Sequence, residues 1–150
     1  MRTAQTLYSY VQQIETEYDK IDNLTFSMVG DSTIQSNLTI LKEESHEDLY
    51  VIKRNLKTQL SSYLGMLDCC DMLCVCLPTR ELLGEMVLKE EFLKECMQVA
   101  AEGAGKAVVM YKGGDIWILR EIRKIENMSF ENMGTIIIRW DTEIKPAGGG

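Results

Sequence analysis

One histidine, two prolines and no Cys-x-x-Cys motif occur in these 150 residues, and each scarcity closes off a chemistry. A lone His46 gives no recognisable Ser-His-Asp or Cys-His constellation. Five cysteines without paired ligand spacing, far in sequence from that histidine, do not make a zinc site, so neither a metal nor a cofactor is expected. No apolar run approaches the roughly 18–20 residues that span a bilayer, and no basic, apolar, small-residue leader opens the chain. Basic residues are outnumbered 16 to 23, for a net charge of −7. That balance argues against nucleic acid and against an anionic membrane surface, both of which need clustered Lys and Arg. The chain as given reads as soluble, and Pro146-Ala147-Gly148-Gly149-Gly150 looks like a linker or a cut end.

Hydrophobic residues make up 45% of the chain, enough to bury a core. The organising stretch is DIWILREIRKIENMSFENMGTIIIRWD, residues 115–141. Ile116, Ile118, Arg120 and Ile122 share one parity and Trp117, Leu119, Glu121 and Arg123 the other. In the second half Ile136, Ile138 and Trp140 alternate with Thr135, Ile137, Arg139 and Asp141. Period-two patterning rich in β-branched and aromatic residues predicts two strands. The connector ENMSFENM is expected to close into about two helical turns capped by Asn127 or Ser129.

Upstream, Leu7, Val11, Ile14, Tyr18, Ile21 and Met28 recur at spacings of four and three, with Thr25 in the one missing place. This seam predicts a long helix over residues 3–29, either paired with a second copy or laid as an ordinary amphipathic helix on its own core. Gly30 stops it and Asp31 caps a second helix over residues 32–41. Ser45, with Asp48 three residues on, is expected to cap a third helix burying Leu49, Ile52, Leu56 and Leu60. Residues 72–77 read as a buried strand, Leu82-Leu83-Gly84 as its return, and residues 89–102 as a helix stopped by Gly103. A strand over residues 107–111 then turns through Lys112-Gly113-Gly114-Asp115 into the opening stretch. The fold class is α+β, with the last three strands antiparallel neighbours. The organisation is a helical segment over 1–66, an α/β core over 67–145 and a linker over 146–150, one domain overall.

KAVVMYKGGDIWILREIRKIENMSFENMGTIIIRWD resembles the C-terminal half of the extracellular sensor domains of bacterial YesM-like sensor histidine kinases. The matching positions are Arg120 and Ile122, then Asn127 and Ser129, then Gly134, Thr135, Ile136, Ile137, Ile138 and Asp141. YVQQIETEYDKIDNLTFSMVGDSTIQ is similar to the helix that leaves the first membrane span of such kinases. The resemblance implies a Cache-type, PAS-like fold: a long N-terminal helix and a five-stranded antiparallel sheet with helices over one face. It also implies an extracellular signal-input domain that senses without phosphorylating. Its signal would be a small molecule or an accessory protein, and the membrane would be met only through flanking spans. DCCDMLCVC departs from the family's usual first hairpin. The alternative is a cytoplasmic PAS-like adaptor with reduced thiols.

Four residues are candidates for a ligand site: Arg120, with Tyr111, Trp117 and Trp140 as walls. A cation on a covered sheet face must be paired, since an unpaired buried charge is costly. It grips an anionic or polar ligand, or it pairs with a helix carboxylate such as Glu90 or Glu95; the second, structural reading is favoured. The seam of Leu7, Val11, Ile14, Tyr18 and Ile21 predicts weak homodimerisation, which Ile14→Asp is expected to weaken. Cys74, Cys76 and Cys96 are expected in the core, ahead of a disulfide and well ahead of a redox or metal site. Gly103-Ala104-Gly105-Lys106 lacks the spacing and the Ser or Thr of a phosphate loop and reads as a helix stop. The sequons at Asn23, Asn37 and Asn127 carry no functional weight here.

Overall fold

The computed structural model describes residues 4–43, 48–126 and 129–142. Helix α1 spans Ala4–Gly30, α2 Ser32–Glu43 and α3 Leu49–Leu64. Strand β1 (Cys70–Cys76) and the short β2 (Leu82–Leu83) precede α4 (Glu90–Glu102). Strands β3 (Val108–Lys112), β4 (Asp115–Arg123) and β5 (Asn132–Trp140) follow. They form one antiparallel sheet in the order β2-β1-β5-β4-β3.

Local chemistry sets the boundaries. Asp31 caps α2 as expected, its Oδ1 accepting from the Thr33 and Ile34 amides at 2.8 and 3.1 Å. At α3 the cap is Asp48, which accepts from the Tyr50 and Val51 amides; Ser45, the residue expected there, lies outside the described residues. Gly113 and Gly114 both take positive φ (63° and 82°), which a two-residue hairpin turn requires and which glycine adopts without a Cβ clash. The connector before β5 departs from expectation. Asn127 lies outside the described residues, and residues 129–131 are not helical. Ser129 instead accepts from the Glu131 amide at 3.4 Å, Phe130 takes φ 55°, and β5 starts at Asn132 with a register shift opposite Ile122 and Arg123. Over residues 129–131 a turn, followed by a bulge at the start of β5, stands where helix was expected.

The sheet is covered on both faces rather than on one. Ile116, Ile118, Ile122, Ile136 and Ile138 pack with Ile21, Met28, Ile34, Leu38, Leu56 and Leu60 of the first three helices. Trp117, Leu119, Ile137, Cys74 and Cys76 pack with Leu93, Cys96 and Ala100 of α4. The reason is legible in the central strands. Both parities of β4 and β5 are apolar, so neither face tolerates water, and burying each large side chain contributes about 1.5–3 kcal/mol.

Helix α1, 27 residues and so about 40 Å long, is used unevenly. Ile21, Thr25 and Met28 are buried, and Ile14 and Tyr18 are partly buried against the same cluster. Leu7 and Val11, on the same seam, are 54% and 51% exposed. The C-terminal half is core, and the N-terminal half carries its apolar stripe past it.

Candidate functional site

Arg120 sits in β4, opposite Ile136 of β5, on the face covered by α1. Its Nε and Nη1 are held by that helix and one loop. Nη1 donates to the Asp22 carbonyl at 3.0 Å, to Asp22 Oδ1 at 3.1 Å and to Thr25 Oγ1 at 2.9 Å. Nε donates to the Gly105 carbonyl at 2.9 Å, and the Phe26 ring lies 5.6 Å from the guanidinium carbon. Phe26, Thr25 and Asp22 fall on one flank of α1 because residues three and four apart stack along a helix. The Gly103–Lys106 turn, read as a helix stop, supplies the fourth contact by presenting its backbone oxygen. The partner is thus a helix carboxylate, but of α1. Glu90 pairs with Arg80 at 3.2 Å and Glu95 with Lys112 at 2.9 Å, both around α4 on the opposite face.

A second link joins the same helix to the last strand. Trp140 Nε1 donates to Glu17 Oε1 at 2.7 Å, and the Tyr18 and Trp140 ring centroids are 6.2 Å apart. Trp140 is paired with Cys70 at the start of β1 and with Ile116 in β4. Two adjacent central strands therefore each send one polar group into α1, at Glu17 and at Asp22.

The four candidate residues do not converge on one enclosed space. Trp117 faces the other way, its ring centroid 4.7 Å from that of Phe92 in α4, with Nε1 donating to the Lys112 carbonyl at 3.4 Å. Tyr111 lies on the edge strand β3 and is 49% exposed. Arg120 and Trp140 share a face yet serve separate contacts. A cleft of about 230 Å³ opens elsewhere, between α2, α3, the β1–β2 turn and Met133 of β5. Lys42 and Lys53 line it, and both are already paired, with Glu131 and with Glu81 at 3.0 Å.

The thiols take the core positions expected of them. Cys74, Cys76 and Cys96 are buried with Leu93, Trp117 and Ile137, and all five cysteines are free. Burial pushes the Cys74 and Cys96 thiols up to about 12, which keeps them protonated at neutral pH and poor as nucleophiles. Among the described residues no group of three or more His, Cys, Asp and Glu side chains is placed to hold a metal ion, and no helix is long and apolar enough to cross a membrane.

Sequence reasoning missed Asp22, Glu17 and Thr25. One signal was present: Thr25 occupies the place in the seam where the spacing calls for an apolar residue. A polar residue in an apolar stripe marks the height at which a buried polar group from the other side arrives. Comparison with protein-family models, with curated proteins and with solved structures finds no match for this chain.

Proposed function

We propose that this chain is a signal-input domain: the sensor of a membrane-bound two-component histidine kinase, with the sheet as receiver and α1 as output. The observation that carries the reading is the pair of polar contacts from β4 and β5 into α1, below a helical half that exposes its apolar seam. A change in the sheet that moves Arg120 or Trp140 must displace α1 or break those contacts. The projecting Leu7–Val11 stripe is suited to pair with the same stripe of a second copy and carry that displacement onward. Only a ligand or partner that prefers one arrangement of sheet and helix shifts the balance. Because Arg120 already has Asp22 as its counter-charge, with Nε and Nη1 bonded to the chain's own groups, the reading favours a protein partner at the surface over an anion at Arg120.

A cytoplasmic adaptor is the second reading, and the five free thiols favour it, since an oxidising compartment tends to pair cysteines. Labelling the whole gene product in intact cells distinguishes the two. A membrane-impermeant amine reagent that reaches the exposed Lys57 supports the extracellular sensor. Protection of Lys57 until the cells are lysed supports the adaptor.

A further inference from the structure

Cys69 and Cys70 are consecutive, and their Sγ atoms lie 4.0 Å apart. Cys69 is 7% exposed and Cys70 is half-buried, so the pair is approached from the Cys70 side. Two sulfurs bound to one centre at about 2.3 Å each stand about 3.3 Å apart at a right angle and about 3.8 Å at a tetrahedral one, so the pair at 4.0 Å needs to close by less than about 1 Å to share one atom. Two other fates fit less well. Closing a disulfide needs the sulfurs at about 2.05 Å, while the backbone here is tied on both sides. Cys70 is in register with Trp140, and the Asp141 amide donates to the Cys69 carbonyl at 2.7 Å. A zinc-type ion needs four ligands, and among the described residues no third His, Cys, Asp or Glu completes a set.

We propose that Cys69 and Cys70 form a dithiol site for a soft centre of low coordination number, a trivalent arsenical that carries its own third group. The reaction balances without an oxidant or reductant. Two As–O bonds of R–As(OH)2 break and two As–S bonds form, and each thiol proton leaves with a hydroxide as water. Burial raises both thiols above their ordinary range, which slows chemistry that needs a free thiolate; the arsenical exchange converts neutral thiols into a neutral adduct and water, so its equilibrium carries no cost of ionising a buried group. Glu17, Asp68 and Asp71 lie near the pair, with Asp71 paired to Arg139 at 2.9 Å and Asp68 to Lys20 at 4.0 Å, so a neutral arsenical meets no strong field there. The site stands whether or not the domain signals.

Phenylarsine oxide is the probe. The folded chain is titrated with it and read by intact mass, alongside Cys69→Ser and Cys70→Ser, with circular dichroism to confirm folding. The expected result is one adduct per chain, resistant to excess monothiol and released by 2,3-dimercaptopropanol. Either serine variant should weaken binding by about 100-fold or more, because the second As–S bond forms at high effective concentration. An adduct that persists at parental affinity in a folded serine variant, or no adduct on the folded parent, overturns the proposal. If both variants fail to fold, protease mapping of the parent adduct decides it: arsenic on the peptide carrying Cys69 and Cys70 supports the site, and arsenic on the Cys74, Cys76 or Cys96 sulfurs overturns it.

Discussion

Arg120 keeps 9% of its side-chain surface in water and Asp22 keeps 40%. The asymmetry decides which truncation hurts more. Arg120→Met fills the site with an apolar side chain and leaves a carboxylate that solvent can reach, so it should cost about 1–2 kcal/mol. Asp22→Ala leaves a buried guanidinium with two carbonyls, one hydroxyl and the Phe26 ring but no counter-charge and should cost about 2–3 kcal/mol. Urea unfolding of both variants checks the order as well as the size. Asp31 supplies a pH test. Burial alone would raise its carboxyl, but hydrogen bonds from the Tyr63 hydroxyl, the Ile34 and Thr33 amides and Gln59 outweigh that and hold it below its ordinary value. A carboxyl lowered in the folded state stabilises above its unfolded value near 3.8 and loses that contribution as pH falls through the folded value. The stability gap between the parent and Asp31→Asn should therefore be full at pH 6 and shrink below about pH 4, read from urea midpoints across that range. Tyr63 is the other half of the bond. Burial and Asp31 push it up to about 12, so its contribution is present below pH 10 and fades as pH rises toward that value.

At the scale of elements, how much of the molecule the sequence disclosed depends on whether a signal is local. The Gly113-Gly114 hairpin, the Asp31 cap and the α4 helix follow from residues within one turn of each other, and the structure has them where the pattern puts them. Asp22 as the partner of Arg120 is separated from it by 98 positions, and no periodicity names a partner at that distance. The choice of α1 over α4 depends on which sheet face each helix covers. That is undecided by patterning when both parities of a strand are apolar. The seam shows the same limit: its spacing is continuous, but the packing changes midway from the chain's own core to open surface. Ile14→Asp is therefore a poor probe of association, because Ile14 also touches the core. Leu7→Asp with Val11→Asp is the cleaner one. Both positions are more than half exposed, so folding stability should change by no more than about 0.5 kcal/mol. Sedimentation at high concentration should show the parent self-associating and the double variant monomeric.

On the scale of the whole molecule, the two halves of α1 differ in what surrounds them. Its C-terminal half is held by the sheet through Glu17, Asp22 and Thr25, and its N-terminal half leaves Leu7 and Val11 exposed, the stripe proposed to meet a second copy. In a parallel pair, equivalent seam residues of the two helices meet each other, while residues on the outer face do not. Cysteine cross-linking of the whole gene product in its native setting tests this most directly, with Val11→Cys on the seam and Gln13→Cys off it, each compared with the parent so that its own thiols are accounted for. A disulfide forms only where Cα atoms come within about 7 Å. A cross-linked dimer is expected for Val11→Cys and parental behaviour for Gln13→Cys. Equal cross-linking at both positions, or none at Val11→Cys, would contradict it.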